Sequence, residues 1–135
     1  MTVEQKIIDW VLSALGALAG FSVFEWRIDP LDEAAELPAL VVSDPLNRAT
    51  PEDRREKTLN LPIQIIAAAG EPPATVRAYK AQVLNALNPM PEQVDEVQEV
   101  YFDESASLVD QEEITLSGAA LSFGVVYRTE DYNQI

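Results

Sequence analysis

Apolar residues recur every three to four positions near the start of the chain and every second position further on, and this change of period predicts the elements. Val3, Ile7, Ile8, Val11, Leu12, Leu15 and Leu18 line one face of a helix over 2–19, with Lys6, Asp9 and Ser13 opposite. Thr2 and Gln5 have capping-box spacing, and Gly20 offers a stop. Residues 21–28 alternate, Phe24, Trp26 and Ile28 against Phe21, Val23, Glu25 and Arg27, as a strand does. Asp29 and Pro30 break it, and after the acidic stretch 32–36 the apolar run 37–42 predicts a buried second strand closed by Asp44 and Pro45.

Residues 44–57 carry two prolines and the basic group Arg48, Arg54, Arg55 and Lys57, a composition that predicts a long, polar, mobile excursion. A third strand follows, in which Leu59, Leu61, Ile63 and Ile65 alternate with Thr58, Asn60, Pro62 and Gln64. Pro62 has no N–H for a ladder, which predicts an edge position or a bulge. A breaker cluster at 70–73 precedes a second helix marked by Val76, Tyr79, Lys80, Val83, Leu84 and Leu87 and ended by Asn88 and Pro89. Strands are predicted at 97–102 and over about 114–129, where Leu121, Phe123, Val125 and Tyr127 alternate with Ser122, Gly124, Val126 and Arg128. Strands in runs favour an α+β architecture: two helices packed on one face of a mostly antiparallel sheet of four to five strands, in one domain spanning 1–135.

Composition narrows the chemistry. The 135 residues suit one hydrophobic core, and 47% apolar residues are enough to build it. The longest nearly apolar stretch, 10–21, is short of the roughly 20 residues that cross a bilayer, and Glu4 and Asp9 against Lys6 argue against a secretory signal, so a soluble intracellular protein without membrane contact is expected. Nine basic against 23 acidic residues give a formal charge of −14, which opposes counterion-release binding to nucleic acid. With neither Cys nor His there are no disulfides, Cys/His zinc sites, thiolate nucleophiles or imidazole catalysis. The five glycines never take a phosphate-loop spacing. The acidic pairs Asp103-Glu104 and Glu112-Glu113 are the best carboxylate candidates for hydrolysis or a hard cation. Adjacent strand residues point to opposite faces, however, so a solvated surface is the simpler reading. No catalytic, cofactor or metal site is assigned.

Charge distribution says more than any pair. No basic residue lies between Lys80 and Arg128, whereas Glu92, Asp95, Glu96, Glu99, Asp103, Glu104, Asp110, Glu112 and Glu113 accumulate there, so one flank carries a negative field. Arg48, Arg54, Arg55 and Lys57 either offset the neighbouring acids in exposed pairs or form a docking loop for an acidic partner. Trp10 and Trp26 are expected in the core or at a subunit contact.

The amphipathic opening helix, the strand Leu37-Pro38-Ala39-Leu40-Val41-Val42 after an acidic approach, the polar excursion before the strand 59–66, and the closing Leu121-Ser122-Phe123-Gly124-Val125-Val126-Tyr127-Arg128-Thr129 together resemble the tail terminator proteins of long-tailed phages, the minor tail protein U type. The resemblance implies a small α+β subunit of phage or prophage origin. Such subunits assemble, typically as a homo-hexameric ring, on the finished tail tube, end addition of the major tube protein, and present a surface to head-completion proteins. It implies residence in the virion tail, and in the host cytoplasm during assembly, with no catalytic group and no cofactor. An acidic lumen, with Glu99, Asp103, Glu104, Glu112 and Glu113 as candidates, would let the genome pass. Six copies would carry 6 × −14 = −84 formal charges, which makes Mg²⁺ dependence of assembly a corollary. Competing readings are a head-tail connector or tail-completion protein, an acidic DNA mimic that inhibits a host enzyme through the 92–113 region, and a carboxylate hydrolase.

Overall fold

A computed structural model describes residues 2–25, 38–43, 45–49, 55–67, 72–102 and 117–129. Their order is α1 (Val3–Gly16), β1 (Ser22–Glu25), β2 (Ala39–Val42), β3 (Leu46–Ala49), β4 (Glu56–Ala67), α2 (Pro73–Leu87), the one-turn α3 (Met90–Gln93), β5 (Val97–Phe102) and β6 (Ser117–Arg128). The α+β layer is as expected, but among the described residues the sheet has six strands, not four or five, and is mixed. Its path is β1-β2-β4-β6-β5, with β1 and β2 parallel and β3 also paired to β4.

Helix α1 starts where Thr2 Oγ1 accepts from the Gln5 amide at 3.1 Å. The Gln5 side chain runs forward to Asp9 Oδ1 at 2.8 Å, so only the Thr2 half of a capping box is seen. The helix ends earlier than its apolar pattern predicts, at Gly16, and Gly20, at φ 89°, makes the turn into β1. Val3, Ile7, Val11 and Leu15 of α1 share one core with Val83 and Leu87 of α2 and with Leu59, Leu61, Ile63, Ile65, Leu121, Phe123, Val125 and Tyr127 of the central strands. Both helices therefore cover the same face. Each such side chain is worth roughly 1.5–3 kcal/mol in transfer free energy, so this face holds the fold together. Lys6 Nζ to Glu96 at 2.8 Å and Trp10 Nε1 donating to Gln93 Oε1 at 3.2 Å tie α1 to the α3–β5 connection. Trp10 is thus an intramolecular contact; Trp26 lies outside the described residues.

Pro62 does not mark an edge strand. β4 is central, with β6 on one side and, on the other, β2 and β3 laid end to end. Residues 63–66 pair with β2 and 57–60 with β3, and the two registers differ by one residue. The Pro62 carbonyl, which accepts from Ser43 N at 3.0 Å, faces the interruption between them, and its nitrogen faces the same way. The missing N–H falls at the interruption between the β2 and β3 ladders, which agrees with the bulge alternative. The extra residue also reverses parity: Leu40 and Val42 face the helices in β2, whereas Asn47 does so in β3.

The stretch 44–57 is accordingly not one mobile excursion, because Leu46–Ala49 forms β3. Its polar residues carry little strand propensity, and pairing along β4 overrides that preference.

Candidate interaction surface

Of the predicted basic group, Arg48 and Lys57 lie on opposite faces of the sheet. Arg48 is exposed in β3 and, opposite Thr58, lies on the face without helices. Arg55 is exposed at the turn into β4, and its carbonyl accepts from Thr129 N at 2.9 Å. Lys57 is only 8% exposed and belongs to the helix-covered face, opposite Tyr127. Arg54 lies outside the described residues. Beside Lys57, Asn47 Nδ2 donates to the Tyr127 hydroxyl, while Asn47 Oδ1 is buried with no hydrogen-bond partner among the described residues. Burial pushes the Tyr127 hydroxyl above its ordinary pKa; Asn47 acts in the opposite direction.

Of the acidic lumen candidates, Glu99 is described and is exposed on β5, opposite Val126. Asp103, Glu104, Glu112 and Glu113 lie outside the described residues. Glu92 and Asp95 are exposed just before β5, and Glu96 is held below the usual carboxylate range by the hydrogen bond from Lys6. The described acids of this run therefore gather at the start of one edge strand.

A hollow of about 310 Å³ opens between the end of α2 and β5, lined by Leu84, Asn85, Asn88, Val100, Phe102 and Phe123 among others. Among the described residues its lining holds no carboxylate, Lys or Arg. Lys80 Nζ sits 5.1 Å from the Phe102 ring centroid, a cation–π contact at its margin. Among the described residues no group of three or more Asp or Glu could hold a metal ion, and no helix is long and apolar enough to cross a membrane.

What the sequence pattern does not reveal is where the exposed apolar side chains fall. Among the described residues Leu46, at 60%, and Tyr101, at 40%, are the exposed large hydrophobics. They lie on opposite sides of the sheet, on β3 and β5, and both on the face away from the helices. Tyr101 lies over Gly124, where an added Cβ would come within 2.2 Å of its ring, so the glycine admits the aromatic ring at this edge. No protein-family model matches the chain, and no curated protein matches it.

Proposed function

We propose that this chain is a structural subunit of a phage tail that works by assembling side by side as a ring, typically of six copies, on the end of the tail tube. There it ends tube elongation, offers a surface to head-completion proteins, and transforms no molecule. The observation that carries the reading is the pair of exposed apolar side chains, Leu46 and Tyr101, on the two outer strands of one sheet half. Their placement gives each copy two distinct lateral surfaces. The α+β order and the acidic charge agree with the tail terminator resemblance, and an acidic lumen would pass DNA without holding it.

Light scattering of the native protein, alone and beside purified tube protein, tests the reading: a discrete multiple of 14.9 kDa is expected, and single copies under every condition would refute it. Mg²⁺ should shift the distribution toward the assembly by screening repulsion between copies of charge −14, and identical profiles with and without it would remove the ion from the scheme.

A further inference from the structure

β3 and β5 pair with the same level of the sheet: β3 with residues 57–60 of β4, and β5 with residues 123–127 of β6, which themselves pair with 57–61. At this level the sheet is four strands wide, β3-β4-β6-β5. Among the described residues β3 pairs only with β4, and β5 only with β6. Two rows cross it on the face without helices. One runs Leu46, Asn60, Gly124, Tyr101, and the next runs Arg48, Thr58, Val126, Glu99. The first row has an exposed hydrophobic at each end; the second has a cation at one end and a carboxylate at the other. Neither Arg48 nor Glu99 has a side-chain ion pair among the described residues.

We propose that copies of this chain join by adding the β5 edge of one to the β3 edge of the next, so that Tyr101 meets Leu46 and Glu99 meets Arg48 across the seam. The inference rests on the ring reading above and names its interface. β4 runs opposite to β3 and β6, and β5 runs opposite to β6, so β5 and β3 run in opposite directions. Copies related by rotation about a ring axis along the strands would thus pair antiparallel, with their helix-free faces continuous. The two edges are unlike, so the contact is heterologous, and a heterologous contact closes into a ring when its rotation permits. The charge pair fixes register and direction, because β3 against β3 would place Arg48 near Arg48, and β5 against β5 would bring together Glu99 and the nearby Glu92 and Asp95.

The chain has no cysteine, so disulfide trapping starts from a silent background. Within one copy Leu46 and Tyr101 are three strand spacings apart, about 14 Å, too far for a disulfide; across the seam they would be neighbours. Under mild oxidation the full chain carrying both Leu46→Cys and Tyr101→Cys should give a ladder of covalent species beyond the dimer on a non-reducing gel. Each single variant should stay monomeric, and a mixture of the two singles should stop at the dimer. The pair Arg48→Cys with Glu99→Cys repeats the test without uncovering Gly124. As a second readout, Arg48→Glu or Glu99→Arg alone should weaken association about tenfold, and the double exchange should restore it.

If the wild type assembles but both double-cysteine chains stay uncrosslinked and the charge exchange restores nothing, this seam is wrong while the ring reading survives. Single variants that trap with themselves would show a symmetric contact and overturn the seam, as would trapping to tube protein alone. Wild-type chains that remain single at every concentration, with and without tube, would remove the ring reading and the seam together.

Discussion

The two faces of the central strands make different demands on the same backbone. Along β4 the inward residues Leu59, Leu61, Ile63 and Ile65 are at most 1% exposed, whereas the outward residues Thr58, Asn60, Pro62 and Gln64 are polar or partly open. β6 repeats the division, with Leu121, Phe123, Val125 and Tyr127 inward against Ser122, Gly124 and Val126. Period-two alternation thus separates the residues that secure the fold from those that meet the surroundings. Inward positions should answer to mutation through stability, and outward positions at the β3 and β5 edges through association.

The largest effect tests the inward side. Leu61→Ala removes a fully buried side chain and should cost about 2–5 kcal/mol of unfolding free energy in denaturant titration. The contrasting Leu46→Ala, at a 60% exposed site, should stay within about 0.5 kcal/mol while weakening association in sizing. A Leu46→Ala variant as unstable as Leu61→Ala would erase the distinction between the faces.

Gly124 offers the next test, because there the outward face is packed. Gly124→Ala forces the Tyr101 ring aside and should cost about 1–3 kcal/mol, and the cost should shrink in a Tyr101→Ala background. Equal costs in both backgrounds would mean that the ring does not set the glycine requirement.

Tyr127 refines the inward side. Its pKa is raised in the folded protein, so the neutral hydroxyl contributes stability that is complete below the ordinary tyrosine value near about 10 and is lost as pH rises through the higher folded value. Thermal melts should fall more steeply above about pH 10 in the wild type than in Tyr127→Phe. Parallel curves would place the alkaline transition elsewhere.

The smallest effect belongs to the exposed Lys6–Glu96 pair. The Glu96 pKa is lowered, so its contribution is present above the ordinary carboxylate value and disappears as pH falls through the folded value. Glu96→Gln should slightly flatten the acid limb of the stability curve and leave neutral stability almost unchanged.

How much of this was legible in the sequence follows from which signals are local. The α1 face, the α2 pattern with its Asn88-Pro89 stop, and the alternation of β6 depend on neighbours within a few positions, and all three are found. β3 escaped because Leu46-Asn47-Arg48-Ala49 has no strand-like composition; its pairing comes from β4, ten residues on. The parallel β1–β2 pair escaped because two successive strands read as readily as a hairpin, and only partner choice in space separates the cases. The candidate surface was half visible. Arg48 and Glu99 are conspicuous by charge, but their place in one row requires the register of four strands, and Lys57 turns inward only because of where β4 starts its alternation.

The absent amide hydrogen of Pro62 serves as a landmark for the chain as it pairs. The Ser43 amide donates to the Pro62 carbonyl at the end of the β2 ladder, and the imino nitrogen has no hydrogen with which to return the bond, so the pairing with β2 stops there and resumes with β3 in another register. One imino acid therefore stands where this flank of β4 passes from one partner strand to the next, and the β3 end of the exposed rows is counted from that handover.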